Sequence, residues 1–191
     1  MFADDTNLFF EYKNINVLFS TVNQELNKIN EWFQANKLSL NVKKTKYSLF
    51  HKASRQDDVP LVLPRLKISD HAIERVESIR FLGVILDQNL SWKEHIKHIE
   101  NKIAKNIGIL YKAKPYLNKG SLLSLYFSYI HTYLNYANVA WGSTGRTSLK
   151  KLNSQQKHAI RIVMNKAKYD HTKELFYIQK NYKRTENLTH L

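Results

Sequence analysis

The stretch Phe2-Ala3-Asp4-Asp5-Thr6-Asn7-Leu8-Phe9-Phe10 sets two adjacent carboxylates immediately before an apolar run. Two acids side by side at a tight turn concentrate negative charge where a hard divalent cation can be held by oxygen ligands. An isolated Asp-Asp pair is more often an exposed acidic turn, so its surroundings decide its meaning. Here the pair is followed by Thr6–Tyr12, which reads as a short strand leaving the turn.

Working outward, Leu18, Val22, Leu26, Ile29 and Phe33 recur at intervals of four, four, three and four, the pattern of an amphipathic helix. Asn36-Lys37 ends it. Leu38-Ser39-Leu40-Asn41 then leads through Lys44-Thr45 into a strand, Tyr47-Ser48-Leu49-Phe50. Residues 53–64 hold Ser54, Asp57, Asp58, Pro60 and Pro64 and read as a loop. Two short strands are predicted near Leu66–Ile68 and Ile79–Leu86, with Asp70-His71 turning the first toward its return strand.

Beyond residue 90 the period changes. Trp92, Ile96, Ile99, Ile103, Ile107 and Leu110 form one apolar helical stripe that stops before Pro115. Ser121–Leu134 reads as a second helix. Leu149, Leu152, Ala159, Ile160 and Val163 mark a third, surrounded by Lys150, Lys151, Lys157, Arg161, Lys166 and Lys168. The switch from strand-length runs to 3.6-residue periodicity predicts an α+β chain with two regions, 1–89 and 90–191, the second mainly helical over residues 90–176. Trp92 and Trp141 read as core anchors rather than base-stacking platforms.

With 191 residues, 43% hydrophobic and 12% aromatic, the chain can bury a real core and is not a disordered segment. It has no cysteine, which excludes disulfides and thiolate metal sites and suits an intracellular protein. No apolar run is long enough to span a bilayer, and no secretory signal pattern stands at the start. The net charge of +14 is unevenly placed. Residues 1–92 hold 12 Lys/Arg against 11 Asp/Glu, whereas residues 93–191 hold 18 against 5. Such a basic half is either a surface for phosphates or anionic lipid, or a solvated helical exterior.

Four groups of residues, taken together and in order, resemble the reverse transcriptases of non-LTR retrotransposons, of the jockey-like or related kind. The first is Phe2-Ala3-Asp4-Asp5. The second is Trp32-Phe33 followed by Asn36-Lys37-Leu38-Ser39-Leu40-Asn41 and Lys44-Thr45. The third is Ile79-Arg80-Phe81-Leu82-Gly83-Val84-Ile85-Leu86-Asp87, with Leu90-Ser91-Trp92 and His95-Ile96. The fourth is Tyr129-Ile130, Leu134-Asn135-Tyr136 and Trp141-Gly142, then Gln156, Ala159, Ile160 and Arg161. The resemblance spans roughly residues 1–176, and the order of the groups is more specific than any one of them.

The resemblance implies the C-terminal part of a polymerase palm over 1–89 and a helical thumb or connection-like region over 90–191. It implies that Asp4, with its neighbour Asp5, ligates Mg2+, and that Lys44 lies near the incoming deoxynucleoside triphosphate. There a cation would offset charge developing in phosphoryl transfer. Phe81, Leu82 and Gly83 would touch the primer end, although an apolar strand with a close-packing glycine is equally a structural feature. Lys150, Lys151, Lys157 and Arg161 would face a phosphate backbone. The implied partners are an RNA template and a DNA primer, with no membrane.

A polymerase clamp also needs a carboxylate that the family places well upstream of Asp4. Asp57-Asp58 in the Pro-rich loop and Asp87 after the third group are not placed to substitute. After Leu175-Phe176 the polar run Gln179–Thr185 replaces the apolar segment expected from the family. The chain is accordingly expected to be a fragment, inactive alone, taken from a decayed element or a longer protein. The alternative is a non-catalytic nucleic-acid-binding or assembly module.

Overall fold

The computed structural model describes residues 6–52, 59–60, 62–167 and 170. Asp4 and Asp5, most of the loop after residue 52, Lys168 and the polar run near the C-terminus lie outside the described residues. The chain divides into two compact units, Met1–Ser91 and Trp92–Leu191. Its architecture mixes helices with very short strands and is compatible with an α+β class.

The first unit is organised by α1, Ile15–Ala35. Asn14 starts it by accepting hydrogen bonds from the N–H groups of Asn16 (2.9 Å) and Val17 (3.2 Å), which satisfies amides that have no partner inside the helix. The helix ends at Asn36, and Lys37 reverses the chain with a left-handed φ of 55°. Phe19, Val22 and Leu26 bury one face against Leu66, Ile68 and Ile73. Asn23 adds a polar clamp: its amide donates to the Arg65 carbonyl at 3.1 Å and accepts from the Lys67 N–H at 3.0 Å. That clamp satisfies strand backbone groups with a side chain of α1 instead of a further strand. Asn30 donates to Ser69 Oγ at 3.0 Å, extending the same junction.

The strands pair two by two. β1 (Lys46–Tyr47) runs parallel to β4 (Glu74–Arg75), with Lys46 and Glu74 in register and ion-paired at 3.0 Å. β2 (Lys67–Ile68) and β3 (His71–Ala72) form one antiparallel hairpin. β5 (Ser78–Phe81) and β6 (Val84–Asp87) form another, with Phe81 opposite Val84. Tyr47 packs edge-on against Phe19 at 6.0 Å, and burial pushes its phenol above the usual range, opposed by the Arg75 charge.

Four local expectations need correction. Thr6–Tyr12 is not a strand. A strand exists only where a neighbour completes its backbone ladder, and no described strand pairs with this segment. Phe9 is instead held by its side chain, edge-on to Phe81 at 5.6 Å. The strand expected over Tyr47–Phe50 is shorter and shifted to Lys46–Tyr47, because its partner β4 offers only two paired residues. The turn expected at Asp70-His71 lies at Ser69-Asp70, where Ser69 takes φ 53° and His71 already pairs with Ile68.

Ile79–Leu86 is likewise not one strand but most of a hairpin. Its two-residue turn is Leu82-Gly83, with φ of 46° and 79°. Positive φ at both central positions is the geometry whose twist matches paired strands. Glycine takes it freely, whereas a branched leucine does so at a cost of about 1–2 kcal/mol. Leu82→Asn is therefore expected to raise the stability of the first unit by about 1 kcal/mol, since asparagine tolerates this region. A urea midpoint at or below that of the parent would show that the Leu82 side chain compensates its backbone strain.

Among its described residues the second unit consists of helices joined by turns, with no strand. It comprises α2 (Lys93–Ala113), α3 (Lys119–Tyr126), a single π-helical turn (Phe127–His131), α4 (Thr132–Asn135), α5 (Asn138–Trp141) and α6 (Arg146–Val163). The predicted stripe on α2 is the core: Ile96, Ile99, Ile103, Ile107 and Leu110 are all buried. They pack with Leu122, Tyr126, Ile130, Trp141, Leu152, Ala159 and Ile160. Trp92 is only partly buried, while Trp141 is 4% exposed and donates its indole N–H to the Tyr136 carbonyl at 2.9 Å.

Candidate nucleic-acid interface

α6 shows why basic residues end up where they do. With 3.6 residues per turn, Leu152, Ala159, Ile160 and Val163 fall on one side and are buried. Lys150, Lys157 and Arg161 then fall within about 40° of one another on the opposite side. Lys150 and Lys157 are exposed, and neither takes part in an ion pair shown among the described residues. Arg161 is partly buried and donates its Nε–H to the Asp170 carbonyl at 3.0 Å.

Lys151 is a different case. It lies about 100° around the helix from Lys150 and binds Glu100 of α2 at 2.8 Å. The Glu100 side chain is only 12% exposed. The neighbouring Gln155 donates to the Glu100 backbone carbonyl at 3.1 Å, and Gln156 donates to Tyr126 Oη at 3.1 Å. Lys151, Gln155 and Gln156 thus join α6 to the rest of the unit. The α6 helix also stops at Val163 rather than continuing to Lys168. Met164 closes it, and Asn165 takes φ 53°.

One signal in the sequence was stronger than the split in net charge. From Asn101 to Tyr169 there is no Asp or Glu at all, and twelve Lys or Arg fall in that span. A solvated helix face balanced by i,i+4 ion pairs needs carboxylates among its cations. This span has none of its own.

In the first unit, Lys44 is exposed in a turn built on Asn41. Its N–H reaches the Asn41 carbonyl at 3.1 Å, and the Thr45 hydroxyl donates to the same carbonyl at 3.0 Å. That turn delivers the chain to β1 and leaves the lysine outside. Leu82 stands 46% exposed at the tip of the β5–β6 hairpin, and Phe81 turns toward Phe9. Lys44 therefore sits in one turn and Leu82-Gly83 in another, with Phe81 at the end of β5. Asp87 accepts hydrogen bonds from the N–H groups of Asn89 (3.2 Å) and Ser91 (2.9 Å) and thus shapes the loop after β6. Among the described residues, no three His, Asp or Glu side chains are grouped to hold a metal. Likewise, no helix among them is long and apolar enough to cross a membrane.

The chain is similar to the RNA-directed DNA polymerase from the mobile element jockey of Drosophila melanogaster, 23% identical over 178 residues, or 91% of this chain. It is similar to the jockey polymerase of Drosophila funebris at the same identity, over 177 residues. These matches support the resemblance to non-LTR retrotransposon reverse transcriptases that the four residue groups carry. The chain spans about a fifth of the length of each of these relatives. No family model and no solved structure matches it.

Proposed function

We propose that this chain forms part of an RNA-directed DNA polymerase, a reverse transcriptase of a transposable element. Its first unit would serve as the C-terminal part of the palm and its second as a thumb or connection-like region. The observation that carries this is the similarity to jockey polymerases along 91% of the chain. The basic second unit, with its acid-free span from Asn101 to Tyr169, supports it. In this reading Asp4 and Asp5 belong to the divalent-metal site, and Lys44 faces the triphosphate. Phe81, Leu82 and Gly83 lie toward the primer, and Lys150, Lys157 and Arg161 track a phosphate backbone. Lys151 contributes through its bond to Glu100 rather than as a free cation. The partners are RNA template, DNA primer and deoxynucleoside triphosphates, with Mg2+ as the metal.

An exchange experiment tests this reading. In place of the matched segment of a jockey polymerase, the chain is expected to support primer extension on a primed RNA, and Asp4→Ala to reduce extension to background. Because the chain spans about a fifth of its relatives, the 191 residues by themselves are expected to extend nothing. Extension by the exchanged enzyme that survives Asp4→Ala would remove the metal assignment. Extension by the 191 residues alone would show that a much smaller unit suffices.

The alternative is a nucleic-acid-binding module without catalysis. It draws on the same basic second unit, and predicts binding with no extension in either setting.

A further inference from the structure

The connection between α2 and α3 reads Tyr111-Lys112-Ala113-Lys114-Pro115-Tyr116-Leu117-Asn118-Lys119. The α2 helix closes with the Lys114 N–H donating to the Leu110 carbonyl at 3.1 Å. One further turn follows, in which the Tyr116 N–H donates to the Ala113 carbonyl at 3.0 Å. Pro115 prevents the helix from continuing undisturbed, because it has no N–H to donate. Asn118 then restarts the chain as α3 by accepting from the Ser121 N–H at 2.9 Å.

The side chains left outside by this turn are unusual for a solvated loop. Tyr111 is 66% exposed and Tyr116 is 86% exposed. A ring at such exposure adds almost nothing to the core beneath it. Scattered exposed apolar residues need no explanation, but these two rings stand five residues apart with three lysines around them. Lys112 and Lys119 are exposed, Lys114 is half-buried, and none is in an ion pair shown among the described residues. α3 opens on Lys119 with no acid in its first turn, so the positive end of that helix is not offset.

From this juxtaposition we infer that Tyr111–Lys119 is a platform for single-stranded nucleic acid, separate from the basic face of α6. The two phenol rings stack bases, and Lys112, Lys114 and Lys119 meet the adjoining phosphates. Aromatic rings interleaved with cations bind single strands with little sequence preference, because every base offers a π face. A duplex keeps its bases stacked on one another and cannot use the rings. A membrane-surface element would need a broad apolar helix face, whereas here the rings sit at a turn with Leu117 as the exposed aliphatic neighbour. The inference deepens the nucleic-acid reading of this unit and rests on it.

The test uses the full 191-residue chain with a short unstructured RNA, a duplex RNA of equal length and anionic vesicles. Tyr111→Ala with Tyr116→Ala is expected to weaken single-strand binding by roughly 5- to 150-fold for each ring that stacks. Duplex binding and the salt dependence should stay unchanged. The paired Tyr→Phe variant should bind as the parent does, since it keeps both π faces. Far-ultraviolet circular dichroism confirms that the variants keep their helix content. If the folded Ala variant binds single strands like the parent while the parent binds well, the platform is wrong and the wider nucleic-acid reading stands. Equal losses on single strand and duplex would also overturn stacking. A parent that binds vesicles and no RNA would overturn both.

Discussion

Replacing Lys150, Lys157 and Arg161 together with Gln is expected to lower the logarithmic salt slope of nucleic-acid binding by roughly 2 to 3. Each lysine or arginine on a phosphate releases counterion, and the slope changes by about 0.7–0.9 per contact. Between about 200 and 50 mM salt, parent and variant affinities should therefore diverge by roughly 20- to 40-fold, the gap widening as salt falls. Sequence preference should not change, because phosphate contacts read no bases. Fluorescence anisotropy across a salt series on duplex measures this directly. Lys151→Gln serves as the contrast. Its amine is paired with Glu100 while its side chain stays 66% exposed, so its loss should move the salt slope less than the triple variant does and cost at most about 1 kcal/mol of stability. If the triple variant and parent share one slope, the α6 stripe is only a solvated exterior. If Lys151→Gln reproduces the triple variant, the geometric distinction between these cations fails.

Trp141→Ala is expected to cost about 3–5 kcal/mol, the range for truncating a buried aromatic. Three features of the site place it at the top of the effects in the second unit. The indole is 4% exposed, it packs edge-on to the buried ring of His95 at 5.9 Å, and its N–H bonds the Tyr136 carbonyl. Losing it would leave a cavity and remove the hydrogen bond to the Tyr136 carbonyl together. Since small domains are stable by about 5–15 kcal/mol in total, this one change should bring the unit close to unfolding. Thermal or urea unfolding followed by circular dichroism measures it. Trp92→Ala should cost less, because that ring is only partly buried. A near-neutral Trp141→Ala with weakened RNA binding would reverse the assignment of this ring from core to ligand contact.

Long elements were legible because their own spacing defines them. The stripe from Ile96 to Leu110 could form only one helix face, and five of its members are core residues. The end of α1 at Asn36-Lys37 was legible too, since asparagine often closes a helix, and the structure reverses the chain there with Lys37 at φ 55°. Strands were less legible. Ile79–Leu86 has strand composition throughout, and nothing in its period marks the reversal at Leu82-Gly83. Leucine is a poor residue for that turn, so propensity argued against the true location. Phe19 joined the core beside the predicted stripe, one residue from Leu18, because α1 leans onto Leu66 and Ile68 rather than onto a flat sheet.

The candidate site divides in the same way. Sequence by itself carried the resemblance to non-LTR reverse transcriptases, through four residue groups in order, and the concentration of positive charge after residue 92. It also determined which side of each long helix turns inward, since burial of apolar surface depends on a period the chain carries locally. Only tertiary structure decided which cations remain available. Lys150 and Lys151 are adjacent and chemically identical, and both are exposed, yet Lys151 pairs with Glu100 from fifty-one residues earlier in the chain while Lys150 is in no ion pair shown among the described residues. Likewise, only the packing of α1 on β2 gave Asn23 a backbone to clamp. Electrostatic and polar pairing depends on distances of a few ångströms between residues far apart in sequence, and those distances exist only once the core has brought the helices together.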